Sequence, residues 1–394
     1  MRKGLLIFFL LLPLTGAEEL TELFHSSLDF YDDLQRTPEG FYRDAYHLDQ
    51  REDHRCSTAA IGIGLIALCM EHELGRDPLA EKKALETLRA LNGQTLGRDK
   101  AGYFRHFFSS KTGKGTSEFS TIDTAIMVIG ALSCRNTFEN ENLKSEADAL
   151  WNSINWQAAL ASPSGDRLFM IMKDGKGEAI TRLFNEYYLL AWLINEDKKG
   201  SLPPINKLPT WKHRGFNLLS EPRHTALSSF AIQFPLYLCH PCTKDPRYLE
   251  FVTAQAKIDQ LTSSKQNGSA ELWGCGAGMT PANGYLASRF DHNLGKVVTP
   301  HIIAGFIPAL PAAKDHLLKL YRDPKHHAET PVGKLLPRFS IDQPEWRADR
   351  IESIDYSSMI FGLAADHPKL GMRFFQEMTH FTFKNSPDRP AMKD

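Results

Sequence analysis

The stretch that decides the fold is SEFSTIDTAIMVIGALSC, residues 117–134. Ser120 is a suitable N-cap, and the residues that follow Asp123 are apolar on nearly every face of the predicted helix. A helix that is apolar all round is a buried helix. Asp123 has two interpretations. It completes the capping-box spacing Ser-x-x-Asp, where the helix dipole favours an acid, or it serves a pocket at the helix end.

A second stretch, LFNEYYLLAWLI at residues 183–194, follows the same design. Glu186 is followed by eight residues without a charge, so its carboxylate stands at the start of an equally buried helix. Buried carboxylates are rare unless they are paired or functional. One interpretation of Glu186 is a salt bridge to an Arg or Lys, and the other is catalysis. Because two buried helices each begin with an acid, we predict that their ends line one pocket.

Apolar and amphipathic helical segments alternate along the whole chain. The apolar segments predict inner helices at 57–69, 120–134, 181–194, 225–238, 299–310 and 355–365. The amphipathic segments predict outer helices at 18–35, 80–91, 141–154, 248–261, 312–321 and 368–383. Short connections make successive helices antiparallel, so about twelve helices predict an all-α fold, an (α/α)6 toroid with long loops at its pocket end. An open helical solenoid and two helical bundles are the alternatives.

The first 17 residues have the pattern of a secretory signal peptide. Arg2 and Lys3 precede an apolar run from Leu5 to Leu12, and a small-residue cleavage site ends near Ala17. The run is too short to anchor the chain in a bilayer. We therefore predict an exported protein, periplasmic or secreted, that has no membrane contact after cleavage and in which residues 18–394 form a single domain.

Composition and charge limit the classes of molecule that the chain is expected to bind. The 394-residue chain has a formal net charge of −1 and a hydrophobic fraction of 42%. A near-neutral chain gives no reason to expect nucleic acid or an anionic membrane as a partner. We expect a monomer without a cofactor. His316, His326 and His327 are interpreted as part of a solvated helix face and its loop rather than as metal ligands.

Six cysteines leave the disulfide question open, because an even number in an exported chain permits pairing. Cys69 and Cys134 lie in apolar helical stretches and are predicted to be buried thiols. Cys239-His-Pro-Cys242 has the spacing of a redox site or half a zinc site, but no second such pair exists. A local disulfide and two plain thiols are the two interpretations of this pair.

Four long loops are predicted to gather at one end of the helices, at 162–178, 200–223, 263–298 and 322–354. They contain aromatic residues, namely Trp211, Phe216, Trp273, Tyr285, Phe290 and Trp346. Packing beneath the loops explains some of these residues. Aromatic rings beside carboxylates and amides are also how proteins hold sugars, because sugar C–H faces stack on rings while the hydroxyls need hydrogen bonds.

Several motifs occur in an order that resembles a known family. They are GYFRHF at 102–107, SEFSTIDTA at 117–125, FNEY at 184–187, WG at 273–274, GY at 284–285, VTPH at 298–301 and IDY at 354–356. The chain resembles the bacterial glucoamylase-like domain family, which contains the endo-β-1,2-glucanases of glycoside hydrolase family 144. Two segments depart from the family pattern, at 232–236, where only Gln233 is kept, and at 293–300.

The resemblance implies a glucoamylase-like (α/α)6 catalytic domain with a pocket at one end. It also implies cleavage of a glucan without a metal in the chemistry, and the glucan most strongly implied is β-1,2-linked. It implies Glu186, Asp123 and Asp355 as catalytic residues. Glu186 is interpreted as the general acid, because desolvation raises the pKa of a carboxyl group. Asp355 or Asp123 is interpreted as the base. The implied substrate-binding residues are Arg43, Phe104, His106, Glu118, Gln233, Trp273, Thr299 and Tyr356. The rivals are a transglycosylase, a hydrolase of another glucan linkage, and a non-catalytic glycan-binding toroid.

Overall fold

The computed structural model describes residues 15–162, 167–182, 184–197 and 227–383. Within these ranges the α helices are α1 (Gly16–Asp29), α2 (Thr58–Leu74), α3 (Ala80–Asn92), α4 (Thr121–Thr137), α5 (Glu141–Asn152), α6 (Tyr188–Glu196), α7 (Phe230–Leu238), α8 (His240–Lys244), α9 (Pro246–Asn267), α10 (Pro300–Gly305), α11 (Ala312–Arg322), α12 (Ser353–Asp366) and α13 (Gly371–Met378). A π helix, Phe30–Gln35, continues α1, and a 3-10 helix spans Trp156–Ala159.

Short strands connect these helices. They are β1 (Ala45–His47), β2 (Arg55–Ser57), β3 (Phe107–Ser109), β4 (Phe119–Ser120), β5 (Arg167–Lys173), β6 (Lys176–Arg182), β7 (Ala277–Thr280), β8 (Gly284–Ala287), β9 (Val297–Val298), β10 (Ala328–Thr330), β11 (Gly333–Leu335), β12 (Phe339–Ser340) and β13 (Arg350–Glu352). All pairings are antiparallel, and they join β1 to β13, β2 to β3, β4 to β5, β5 to β6, β7 to β8, β9 to β12 and β10 to β11.

The predicted alternation of inner and outer helices is present in the described ranges. Six helices, α2, α4, α6, α7, α10 and α12, are buried along almost their whole length. Helices α1, α3, α5, α9, α11 and α13 bury only one face. Inner helix α2 contacts α4, α4 contacts α6, α6 contacts α7, and the last inner helix, α12, contacts α10, α7 and α2. The first and last inner helices are therefore neighbours.

Four inner helices begin immediately or one residue after a strand: α2 follows β2, α4 follows β4, α10 follows β9 and α12 follows β13. Ser57 and Ser120 cap α2 and α4 by accepting hydrogen bonds from the backbone N–H groups of Ala60 and Asp123. Asp355 is the third residue of α12, as Asp123 is of α4. The strands therefore fix the helix N-termini that carry these two acids.

Several predicted helix boundaries were wrong: the inner helix predicted from residue 225 begins at Phe230, the outer helix predicted at 248–261 spans Pro246–Asn267, and the outer helix predicted to end at residue 383 ends at Met378. The helix predicted from Thr181 begins at Tyr188, because the preceding residues form the hairpin β5–β6 and a turn in which Asn185 accepts a hydrogen bond from the Tyr187 N–H. The helix predicted to run to Leu310 ends at Gly305. Pro308 has no N–H with which to continue the ladder of hydrogen bonds.

The predictions for the signal peptide, the cysteines and His316 have separate outcomes. Residues 1–14, which hold most of the predicted signal peptide, lie outside the described ranges, and no helix within those ranges is long and apolar enough to cross a membrane. All six cysteines are buried, and Cys239 is a thiol that forms no local disulfide with Cys242. Cys69 and Cys134 are buried as predicted, with their sulfur atoms 3.5 Å apart.

His316 is buried rather than solvated, and its Nδ1 accepts a hydrogen bond from the Trp273 indole N–H.

Glycines let the inner helices approach one another backbone to backbone. A Cβ atom added to Gly62 in α2 would collide with the carbonyl oxygen of Ile126 in α4. A Cβ atom on Gly362 in α12 would collide in the same way with the carbonyl oxygen of Ala304 in α10. Backbone atoms cannot move aside as a flexible side chain can, so these contacts require glycine.

Replacing Gly362 by alanine should lower the free energy of unfolding by about 3 kcal/mol, since forcing a methyl group into a filled contact strains both helices. Urea denaturation measures the change. Gly97→Ala is the matched control, because nothing lies within 4 Å of a Cβ atom there, and it should change the free energy by less than about 0.5 kcal/mol. Equal stability of the two variants would contradict the close approach of α10 and α12.

Candidate functional site

A cavity of about 310 Å³ opens at the end of the helices where α2, α4 and α12 begin. It is lined by Asp44, Arg55, His106, Phe107, Tyr285, Arg350, Glu352 and Ile354. These residues come from the strand pairs β1–β13, β2–β3 and β7–β8 and from the segments beside them. Distant parts of the chain therefore meet around one cavity.

A second cavity of about 830 Å³ adjoins the first. It is lined by residues 52–55 and by residues of the segments 107–109 and 114–117, and it shares Arg55 and Phe107 with the first cavity. The Phe107 ring is stacked on His106 with ring centres 3.6 Å apart, and the Arg55 guanidinium lies 5.0 Å from the Phe107 ring centre. Aromatic faces, cations and hydroxyls thus border a groove that leads to the smaller cavity.

Asp123 is held at the cavity by a histidine bridge. Nε2 of His106 lies 3.6 Å from the Asp123 carboxylate, and Nδ1 of the same ring lies 3.1 Å from Glu118. Burial raises the pKa of Asp123, and the nearby His106 opposes that rise. The structure therefore brings together three residues that the sequence predicted for the site.

Glu186 lies in the turn before α6 and is half-buried. Burial raises the pKa of its carboxyl group to about 7, and the negative charge of Asp123 contributes to the rise. Two neighbouring carboxyl groups with different environments are the usual means of keeping one protonated while the other is ionised. Glu186 and Asp123 form such a pair.

Asp355 forms a second carboxyl pair, with Glu352. Asp355 is 4% exposed, and its pKa is raised to about 8 by burial and by the charge of Glu352. The Tyr285 hydroxyl donates a hydrogen bond of 3.2 Å to Oδ1 of Asp355. Burial raises the pKa of Glu352 as well, and the buried Arg338 and Arg350, which pairs with Glu352 at 3.3 Å, oppose that rise. Glu352 therefore holds the negative charge more readily than Asp355.

The salt-bridge interpretation can be tested on all three predicted acids. Within the described residues, no Lys or Arg lies in ion-pair distance of Glu186, Asp123 or Asp355. Other acids at the cavity are paired in this way: Asp44 with Arg55 at 2.7 Å, and Glu352 with Arg350. The three predicted acids thus remain available to exchange protons.

Several predicted substrate-binding residues lie in the core instead of the cavity wall. Trp273 is fully buried and uses its indole N–H on His316. Phe104 is buried beneath the guanidinium of Arg98, 4.3 Å from the ring centre. Gln233 is fully buried, and its amide donates to the carbonyl oxygen of Ile302 in α10. None of these side chains offers a surface to a sugar.

The remaining predicted binding residues, Thr299, Tyr356 and Arg43, form hydrogen bonds that link different segments of the chain. Thr299 is the N-cap residue of α10 and accepts a hydrogen bond from Arg338. The Tyr356 hydroxyl lies 3.2 Å from Ser27 Oγ in α1. Arg43 donates to the backbone carbonyl oxygens of Leu34, Arg36 and Asp53. Their contacts join segments that carry the cavity.

Five charged residues at the site were missed by the sequence analysis: Asp44, Arg55, Arg338, Arg350 and Glu352. The pattern Arg-x-Glu-x-x-Asp at 350–355 was a signal that could have found two of them. It places an acid at the N-cap of α12 and another in its first turn. Asp44 and Arg338 carry no local signal, because only the strand pairings bring them to the cavity.

No group of three or more His, Cys, Asp or Glu side chains in the described residues has the arrangement of a metal site.

Comparison with known proteins identifies the fold. No protein-family model and no curated protein match the chain, but solved structures match nearly all of it. An endo-β-1,2-glucanase from Chitinophaga pinensis, solved with sophorotriose and glucose, superposes with a TM-score of 0.74 at 16% identity, over 93% of this chain and 97% of that protein. The chain has the fold of this glucanase. The resemblance drawn from the motifs is thereby confirmed at the level of the fold.

Two further glucanases have the same fold. A β-1,2-glucanase from Parabacteroides distasonis gives a TM-score of 0.71 at 16% identity, over 94% of this chain and 61% of that protein. An endo-β-1,2-glucanase from Talaromyces funiculosus, solved with sophorose, gives 0.63 at 11% identity, over 94% and 93% of the two chains. The glucanase fold is thus shared at sequence identities that leave the function to be argued from the site.

Proposed function

We propose that this protein is a glycoside hydrolase that cleaves a glucan, and that its six inner helices form the core of an (α/α)6 barrel. The observation that carries the proposal is the set of buried acids Glu186, Asp123 and Asp355, gathered at one end of the fold without Lys or Arg counterions among the described residues. Hydrolysis of a glycosidic bond needs carboxyl groups of this kind, one protonated and one ionised.

The proposed substrate is a β-1,2-linked glucan, because the three matched proteins described above bear that activity in their names. The groove beside the cavity supports a sugar polymer. Its Phe107 ring is suited to stack on a sugar face, and its Thr116 hydroxyl and Lys114 amine are suited to bond to sugar hydroxyls.

The proposed mechanism assigns one carboxyl group to each proton transfer. Glu186 donates its proton to the oxygen of the leaving sugar, since burial and Asp123 keep the proton on Glu186 near neutral pH. Asp355 provides the carboxylate that activates water or attacks the sugar. Asp123, bridged by His106, lies beside Glu186 and holds substrate hydroxyls. The departures from the family pattern at 232–236 lie in the buried helix α7, where Gln233 bonds to α10.

Release of reducing ends tests the proposal directly. The mature protein is incubated with linear β-1,2-, β-1,3-, β-1,4- and α-linked glucans, and new reducing ends are counted over time. Activity on the β-1,2 glucan alone supports the full assignment, and activity on another member corrects the linkage. Sugar transfer without new reducing ends indicates a transglycosylase. Binding without turnover across the panel indicates a glycan-binding protein.

The pH dependence should be bell-shaped, with its maximum between about pH 7 and 8. The pKa of Glu186 is raised to about 7 and that of Asp355 to about 8. Because Asp355 has the higher pKa, the active form, with Glu186 protonated and Asp355 ionised, is a minor form that is most populated between the two values. Its population falls at low pH because Asp355 keeps its proton, and at high pH because Glu186 has lost the proton that it must donate. Measurement of kcat/KM from pH 5 to 10 checks this. A maximum below pH 6 would contradict the raised pKa values.

We also propose that residues 1–17 are a signal peptide and that the mature protein is an exported monomer. N-terminal sequencing of the protein recovered outside the cytoplasm tests the cleavage near Ala17, and sedimentation of the purified protein tests the oligomeric state.

A further inference from the structure

Tyr285 occupies an unusual position at the cavity. It lies on β8, directly after the turn that connects the hairpin β7–β8, and its side chain is 48% exposed. Its hydroxyl nevertheless reaches inward to the buried carboxyl of Asp355 and donates to Oδ1 at 3.2 Å. An exposed ring thus directs one polar atom onto one of the proposed catalytic groups.

The hydrogen bond distinguishes the two oxygens of Asp355. Oδ1 accepts from Tyr285, whereas Oδ2 is buried and has no hydrogen-bond partner among the described residues. A buried, unpaired carboxyl oxygen costs free energy unless a ligand or water uses it. Oδ2 is therefore the oxygen of Asp355 whose hydrogen-bonding capacity the described residues leave unused.

The hairpin that carries Tyr285 is fastened at its base. Arg338 is buried and donates to the carbonyl oxygens of Met279 and Gly276 at 2.9 and 3.2 Å, and Arg350 lies 2.9 Å from the Met279 sulfur. Gly278 has φ +133°, and a Cβ atom there would meet the Arg338 side chain at 2.7 Å. Arg338 thus joins the hairpin to Thr299 at the start of α10, and Arg350 joins it to β13, which leads directly into α12.

We propose that Tyr285 is the positioning residue for Asp355, and that its hydroxyl fixes Oδ1 so that Oδ2 faces the reacting sugar carbon or its attacking water. This inference rests on the proposed hydrolase function. It adds a role for the hairpin β7–β8, which carries Tyr285 and is attached through Arg350 to β13, the strand before α12.

Charged and titratable groups from several elements surround Asp355 and influence its pKa. Glu352 and Asp44 raise the pKa of Asp355, and Arg338 and the Tyr285 hydrogen bond lower it. Tyr31, whose hydroxyl donates to the Ser353 carbonyl oxygen at 2.6 Å, lies near enough to sense the charge of Asp355. Of these groups, only Tyr285 donates a hydrogen bond to its carboxylate. Loss of that bond favours the protonated form.

The experiment replaces Tyr285 by phenylalanine, which keeps the ring and removes only the hydroxyl. The pKa of Asp355 should rise by about one pH unit, as expected for one hydrogen bond to a charged group. Because the higher of the two pKa values sets the alkaline limb of the kcat/KM profile, and that value belongs to Asp355, the alkaline limb should move up by the same amount. Activity near pH 6 should fall about tenfold, because fewer molecules hold Asp355 ionised. KM should stay within about twofold of that of the wild type, since a neutral hydrogen bond to Asp355 contributes little to ground-state binding.

Tyr46→Phe is the matched control. Tyr46 lies on β1, beside Asp44, and no hydrogen bond of its hydroxyl is found in the described part of the chain. This variant should reproduce the wild-type profile. A Tyr285→Phe profile with unchanged limbs overturns the positioning role. A raised KM with unchanged kcat also overturns it, because the ring would then serve only to bind sugar.

A second readout does not depend on turnover. In protein labelled with ¹³C at aspartate carboxyl carbons, the Asp355 signal is the one that disappears in Asp355→Asn. Its titration midpoint should move up by about one pH unit in Tyr285→Phe, and an unmoved midpoint overturns the inference. If no glucan is hydrolysed by the wild type, the proposed function fails, and this titration still decides whether Tyr285 controls Asp355.

Discussion

Replacing Glu186 by glutamine should lower kcat/KM for glucan hydrolysis by about 10³-fold, which lies within the range that general acid catalysis contributes. Glutamine keeps the size of the side chain but cannot supply the proton that the leaving oxygen requires. The loss should be much smaller for a glucoside with a dinitrophenolate leaving group, because that group departs without being protonated. Initial rates on both substrates measure the difference.

The matched control for this variant is Glu178→Gln, an exposed acid on β6 of the neighbouring hairpin. It should retain wild-type activity on both substrates. The folded-state pKa of Glu186 lies above its ordinary value, so stability is lost as the pH rises through about 7. Glu186→Gln should therefore be no less stable than the wild type at pH 8, which separates loss of chemistry from loss of fold. Equal losses on both substrates would contradict the assignment of Glu186 as the acid.

Replacing Asp355 by asparagine should also lower kcat/KM by about 10³-fold, but by a similar factor on both substrates. The carboxylate is needed for the attack on the sugar, and that need does not depend on the leaving group. Asp366→Asn is the control, because Asp366 lies at the exposed end of the same helix, paired with Lys314 at 2.7 Å. If Asp355→Asn keeps more than about a tenth of the activity while Asp123→Asn does not, Asp123 is the base.

The sequence was sufficient to predict the inner and outer helices and two of the acids. Asp123 and Glu186 each precede a long apolar run, and that local contrast requires no knowledge of the fold. The inner segments are recognisable because they lack a polar face, which is a property of neighbouring residues alone. Features of this kind can be predicted from a single sequence.

Of the second carboxyl pair, Asp355 was predicted only through the family resemblance, and Glu352 was not predicted. Asp44, Tyr285 and Glu352 come from three distant segments, and they meet through strands of only three or four residues. Such short strands have no periodicity that would distinguish them from loops. The position of Trp273 could not be predicted either, because a tryptophan in a long loop has the same sequence pattern whether it packs into the core or faces a ligand.

The pairing of β1 with β13 has a consequence for biosynthesis. It joins Ala45 to Glu352, residues that leave the ribosome far apart in time. Contacts between such distant residues form late and slow the folding of a chain. A nascent chain can assemble α2 to α5 early, but it cannot complete the cavity until β13 and α12 have been synthesised. The acid–base site should therefore appear only when synthesis is nearly complete, and incomplete chains should lack hydrolase activity.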